Sequence, residues 1–350
     1  MKIKVFSWLL SAAVLTSCSG FEVNEQTREE LDIFPDYKGV TVPYNIAPLN
    51  FMTDCFAKGK VKVEASDGSA LVCRMRNGKV CFPVRKWRAL LESAKGATLT
   101  VTVMDNDSKA YEPFEISVAE EPVDRYIAYR LIDPGYVLWN EMGIYQRDLE
   151  SFRQRAVVEN RDLDHACVNC HSFADRDPEA MVFHARTTAH GGTYVTVDGR
   201  FEKLDTKTPQ TISALVYPSW HTSRRYIAFS VNETKQSFHV SDPYKIEVYD
   251  MRSDVVVYDV NERTLVTDEA LFSGSAFETF PSFSADGKTL YFCSARKQAV
   301  PDSIESLKYN LCAISFDEAT RTFGSRVDTL YHAENMNHSV SFPRISPDGR

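Results

Sequence analysis

From about Val40 to Ala119 apolar and polar residues mostly alternate, as in Val61-Lys-Val63-Glu-Ala65 and Thr98-Leu-Thr-Val-Thr-Val103, the period-two pattern of half-buried strands. Asn77-Gly78 sits between two such runs and predicts a two-residue hairpin turn. One stretch departs from this pattern. Trp87, Leu90, Leu91 and Ala94 share a single helical face, and Gly96 is placed to end that helix. Residues 40–120 are therefore expected to form a small β-sandwich-like domain. In the connecting segment 121–190, Tyr126 to Ile132 reads as a strand, Asp133-Pro-Gly as a turn and Tyr145 to Val158 as a helix.

After residue 190 a repeat replaces simple alternation. Tyr217-Pro-Ser-Trp-His-Thr-Ser-Arg-Arg-Tyr-Ile-Ala-Phe229 aligns with Phe280-Pro-Ser-Phe-Ser-Ala-Asp-Gly-Lys-Thr-Leu-Tyr-Phe292 and with Phe342-Pro-Arg-Ile-Ser-Pro-Asp-Gly-Arg350. Each copy sets an aromatic-Pro pair, a bulky apolar residue and a tight turn ahead of an alternating strand, the pattern of a propeller blade. Strands such as Asp254 to Tyr258 and Asn310 to Ser315 lie between copies. These copies resemble the WD-like repeats of TolB-type β-propellers, over residues 191–350. The resemblance implies a mainly β chain ending in a propeller. Because the third copy stops at its turn and three blades do not close a ring, a truncated propeller with an exposed, aggregation-prone edge is expected.

The N-terminus follows a different logic. Lys2 and Lys4 precede a short apolar stretch and small residues, which is a secretory signal. Its close, Leu15-Thr16-Ser17-Cys18, resembles a bacterial lipobox, which implies lipidation of Cys18 and a chain held to a membrane only by that anchor. Ser19 stands where an aspartate would retain the protein at the inner membrane, so an outer-membrane lipoprotein facing the periplasm is expected. The segment 19–39, with Glu22, Glu25, Glu29 and Glu30, reads as a tether. The formal net charge of −8 becomes −10 once the first 17 residues are removed, and such a surface repels phosphate backbones, which excludes nucleic acid as an expected partner.

Cys167-Val-Asn-Cys170-His171 carries the chemistry. With eight cysteines and eight histidines in 350 residues, this spacing arises by chance in about 0.004 of such chains. It suits covalent haem c, with Cys167 and Cys170 on the vinyl groups and His171 as the proximal ligand of the iron. For the distal position His184 is favoured, with Met181 or His190 as alternatives. Met181 and His184, three apart on a strand, point to opposite faces, so at most one of them reaches the haem. The haem segment is thus a short insertion before the propeller, and the region Tyr126 to Val195 resembles the single-haem, TolB-like lipoproteins of Bacteroidetes.

Two readings follow. In the first, an exported single-haem protein transfers electrons or senses redox state, with a redox partner or envelope protein on the propeller face. In the second, a TolB-like binding module of the envelope carries Cys167-Cys170 as a disulfide. An enzyme using an open haem position is the third class. Phosphate-loop, Gly-x-Ser-x-Gly and His-Glu-x-x-His motifs are absent from the sequence. Of the remaining Cys55, Cys73, Cys81, Cys293 and Cys312, the hairpin register sets Cys73 and Cys81 on opposite faces. Cys293 and Cys312 lie on consecutive strands, either paired or as free thiols.

Overall fold

The computed structural model describes residues 20–132, 141–187, 190–204, 206, 208, 211, 214–241, 243, 246–346 and 348–349. Cys18, the signal and the Asp133-Pro-Gly turn lie outside them. Two compact units share the chain, one of residues 1–128 and 146–155, the other of 129–145 and 156–350.

The first unit is built on a nine-stranded sheet, with Lys58–Ala65 between Ala70–Arg76 and Thr98–Asp105. The predicted alternation is realised: Val61, Val63, Leu99, Val101 and Val103 are buried in one core with Leu71 and Met75. The helix Val84–Ser93 buries Trp87, Leu90 and Leu91, and Gly96 follows at φ +69. Asn77 and Gly78 take φ of 50 and 72, the paired left-handed conformations of a type I′ hairpin turn. The tether expectation for 19–39 does not survive. Glu25–Gln26 pairs in parallel with Lys109–Ala110, Phe34 bridges to Met52, and Leu31 and Ile33 are buried in the core. Leu31 and Ile33 are spaced two apart in an otherwise acidic stretch, and that small period-two signal was enough to dock the segment.

The helix expected over Tyr145 to Val158 is instead two strands, Met142–Asp148 and Gln154–Glu159. Asp148 makes the difference. Its carboxylate accepts the Glu150 N–H at 3.0 Å and binds Arg125 at 3.1 Å, while its own N–H donates to the Arg153 carbonyl, which closes a turn where a helix would continue.

Tyr126–Ile132, Met142–Asp148 and Gln154–Glu159 form a three-stranded sheet, and beyond residue 160 three further antiparallel sheets follow in succession. The first comprises Cys167–Phe173, Met181–Arg186, Gly192–Val197 and Arg200–Lys203. The second comprises Leu215–Trp220, Tyr226–Phe238, Ile246–Asp259 and Thr264–Val266. The third comprises Ala276–Phe283, Thr289–Arg296 and Asn310–Asp317, with Thr322–Phe323 and Asp328–Tyr331 both pairing the last of these. Val182, Val195 and Val197 pack on Leu215, Ile227 and Phe229 between the first two sheets. Tyr226, Val255 and Val257 pack on Phe283, Leu290 and Phe292 between the second and third. The chain is mainly β, and its C-terminal sheets are β-propeller-like. The first sheet, however, begins at Cys167. The predicted boundary at 191 therefore cuts through a blade, and the Cys-x-x-Cys-His motif belongs to that blade's opening strand and not to an insertion before it.

Candidate functional site

The opening strands of the three sheets share one irregularity. Their ladders with the second strand slip by one residue between Asn169 and Ser172, between Val216 and Ser219, and between Thr279 and Ser282. The residue at each bulge is left-handed: Cys170 at φ 52, Tyr217 at 53 and Phe280 at 53, with Phe342 at 49 in the last copy. Cys170-His-Ser-Phe173 is thus a fourth copy of Tyr217-Pro-Ser-Trp220, Phe280-Pro-Ser-Phe283 and Phe342-Pro-Arg-Ile345. Tyr217, Phe280 and Phe342 gather into one aromatic cluster, with ring centroids 4.0 to 5.4 Å apart. Cys170 lies beside Tyr217, whose phenol is pushed up by burial first and by that thiol second.

In the third sheet the N–H of the bulge residue crosses to the second: Phe280 N–H donates to Ser230 Oγ at 2.9 Å. The backbones of Phe342 and Tyr217 lie against the thiols of Cys293 and Cys170 and favour their thiolates. Ser230 and Cys293 occupy the same repeat position, opposite Val216 and Thr279. In the first sheet that position, opposite Asn169, is His184. Its Nδ1 is 3.0 Å from Thr193 Oγ1, and the thiol against the Tyr217 backbone is that of Cys170.

The faces of the first sheet sort the predicted ligands. Met181 packs with Val168, Phe183, Ala185 and Tyr194, while Val182, one residue on, faces the second sheet. Met181 and His184 therefore do lie on opposite faces. His184 is buried on the second-sheet side, where burial first and Arg186 second hold its pKa at about 4. Cys167, alternating with buried Val168, points to the same side, and the bulge returns Cys170 to it. Burial raises both thiols, and nearby Arg186 and Arg130 partly offset it. His171 points the other way. Its ring lies 6.1 Å from that of Phe173, which packs with Met181 and Phe183. His190 is half exposed, 3.3 Å from Asp164.

A c-type haem needs two thiols and an imidazole to close on one planar body. In this fold the thiols are on one face and His171 on the other, and on the thiol face Val182 and His184 are buried toward the second sheet. The residues as folded do not fit the group. Nor do they fit a Cys167–Cys170 disulfide, because three residues of extended strand separate Cα atoms by about 10 Å, against at most about 7 Å in a disulfide. Among the described residues all cysteines are free thiols, and no three of His, Cys, Asp and Glu converge as a metal site. Cys312 pairs with Phe292 and Cys293 with Leu311, so these two cysteines sit one register step apart, on opposite faces.

A residue that sequence reasoning missed stands two positions before the third bulge. The equivalent residues Val168, Leu215 and Val340 are apolar, but here the chain has Glu278, only 2% exposed. Its Oε1 accepts the Ser273 hydroxyl at 2.7 Å, and its Oε2 has no hydrogen-bond partner. Asp254, also buried, likewise leaves Oδ2 unpartnered. Burial, with Asp254 adding to it, pushes the Glu278 carboxyl up to about 7. Aligning position −2 of the repeats would have exposed it.

No protein-family model matches the chain, and no curated protein matches it. Among solved structures it is similar to a puromycin-hydrolysing peptidase of Mycobacterium tuberculosis, at 13% identity over 59% of this chain and 27% of that one, with a TM-score of 0.36. It is similar to dipeptidyl peptidase 4 of Porphyromonas gingivalis, at 11% identity over 67% and 38% with a TM-score of 0.35. An oligogalacturonate lyase from Vibrio parahaemolyticus aligns at 9% identity over 92% and 82%, with a TM-score of 0.35. The chain spans well under half the length of the two peptidases.

Proposed function

We propose that the chain is an exported, lipid-anchored docking module of the bacterial cell envelope. In this reading a TolB-like propeller body holds a partner protein or envelope polymer at the outer membrane, and a sandwich-like domain joins it to the anchor at Cys18. The observation that carries it is the use of the Cys-x-x-Cys-His strand as packing. The Cys170 thiol lies against the Tyr217 backbone, His171 lies against Phe173, and His184 is engaged by Thr193. The test is haem-dependent peroxidase staining on a denaturing gel, after export beside a working c-type maturation system. A colourless band is expected, with both cysteines recovered as free thiols that alkylate after unfolding. A stained band that Cys170→Ala abolishes overturns the reading.

One observation favours the other reading, a single-haem electron-transfer or redox-sensing protein. Three tetrads open on an aromatic-Pro pair, whereas this one replaces both residues by Cys-His and adds Cys167 three places earlier. Cys167 and Cys170 would then hold the haem and His171 its iron, with His184, Met181 or His190 opposite. Haem c supplies one-electron transfer when bound. That state requires Cys167–His171 to leave its ladder with Met181–Arg186, as does the disulfide form.

A further inference from the structure

One sheet face of the first unit carries more positive charge than its own fold neutralises. Val61, Val63, Leu71 and Met75 point inward, so the alternate residues of the same strands point out. In this register Lys58 stands directly opposite Arg76 and Lys60 directly opposite Arg74, with Lys79 across from Arg76 on the next strand. Like charges directly opposed across an antiparallel pair are destabilising. Neutralisation nearby is thin. Lys62 is taken by Glu64 at 2.7 Å, and the Asp105 carboxylate accepts the N–H groups of Asp107 and Lys109. Lys58, Lys60, Arg74 and Arg76, four cations against the one carboxylate of Asp105, line a groove of about 510 Å³ with Asn106 and Ser108.

A second observation says what lies beside that groove. The Lys60 ammonium donates to the carbonyl of Gly20. Gly20 is two residues beyond Cys18 in the sequence. A mature body of net charge −10 is repelled as a whole by an anionic leaflet, so a local cationic face is needed to bring it to the surface and orient it. Acyl chains combined with a basic patch give far firmer attachment than either alone.

We propose that this groove binds the phosphates of anionic lipid headgroups in the leaflet that takes the acyl chains of Cys18. The proposal rests on the lipid-anchored reading above. It is tested with the mature chain carrying Cys18→Ser, so that no acyl group drives binding, sedimented with phosphatidylcholine vesicles with and without phosphatidylglycerol. Binding to the anionic vesicles alone, lost at high salt, is expected. Arg74→Gln with Arg76→Gln should weaken it tenfold or more, at about 1 kcal/mol per cation, while raising the melting temperature at low salt because the cross-strand repulsion is relieved. That rise keeps a misfolded variant from passing as support. Equal binding to both vesicles, or binding that the double variant leaves intact, overturns the proposal. So does millimolar inorganic phosphate that binds and displaces the vesicles at equal charge, which marks a free-phosphate site. Capture of an acidic polysaccharide with no vesicle binding overturns it as well. The anchor fails separately: wild type in the soluble periplasmic fraction, with the Cys18→Ser chain still on anionic vesicles, sinks the lipobox and keeps the groove.

Discussion

Replacing Glu278 by glutamine should make this protein more stable at alkaline pH, against the general expectation for a substitution in a fully buried core. The carboxyl is held at about 7 in the fold by burial and by Asp254, against an ordinary value of 4.5. Below the ordinary value both folded and unfolded chains keep the proton, and no stability depends on it. Between the two values the unfolded chain releases the proton and the fold does not, so stability falls as pH rises, by about 1.4 kcal/mol per pH unit. Above pH 7 the accumulated loss is about 3 kcal/mol. Glutamine has the same shape, accepts the Ser273 hydroxyl through Oε1, and never ionises. Glu278→Gln and wild type should therefore agree within about 1 kcal/mol at pH 4.5, and the variant should lead by about 2–3 kcal/mol at pH 8. Urea unfolding followed by tryptophan fluorescence reads both. His184 has the opposite sign. Held neutral at about 4, it makes the fold lose stability as pH falls from its ordinary 6.5. The two slopes oppose each other between about pH 4.5 and 6.5, so the wild-type profile should be flat there and the variant's should rise with pH. A variant less stable than wild type at pH 8 refutes the reasoning, since Glu278 would then be working as an anion, against Lys297 or a bound cation.

His171→Pro should cost less than about 1 kcal/mol, although proline inside a strand ordinarily costs about 3 or more, because Pro218 and Pro281 occupy the same step after a left-handed residue; a loss above about 3 kcal/mol in thermal unfolding would refute the fourth-copy assignment. Cys170→Ala removes the thiol that lies against the Tyr217 backbone and should lower stability by about 0.5–3 kcal/mol, with faster amide exchange at Tyr217 as the readout. Gly287→Ala should destabilise by several kcal/mol, since Gly287 has φ +73 and an added Cβ would lie 2.2 Å from His221 Nε2. A melting temperature within a few degrees of wild type would show that the His221 ring can give way.

The parts of the fold legible in the sequence are those whose signal is local. The period-two runs around Val61 and Val101, the Asn77-Gly78 turn and the Trp87, Leu90, Leu91 face each declare their element within a few residues, and each is present. Leu31 and Ile33 were hidden because two alternating apolar residues among acids look like chance until a core exists to receive them. The helix expected across Tyr145 to Val158 failed because its periodicity ignored Asp148, a residue able to bind its own backbone two positions on and so close a turn.

The candidate site was half legible for a related reason. Cys167, Cys170 and His171 were conspicuous as chemistry, and that same conspicuousness hid them as a repeat, because a search for an aromatic-Pro pair passes over Cys-His. The longer turn from Ala174 to Ala180 then shifts the following strand out of alignment. The copies share a feature of the backbone, a left-handed residue at the bulge, and in the third sheet its N–H reaches across to Ser230 Oγ. Cys293 holds the repeat position of Ser230 and lies against the backbone of Phe342. In the first sheet that position holds His184, whose Nδ1 is engaged by Thr193, and the thiol against the Tyr217 backbone is that of the bulge residue itself. A requirement of the backbone leaves open which side chain stands beside it, so cysteine can fill the place without any trace in a pattern of aromatics. Glu278 is the converse case. The position falls two residues before the left-handed residue in every copy, apolar side chains fill it in three, and the exception marks a place where the chain keeps a buried carboxyl at a cost in stability that packing alone does not explain.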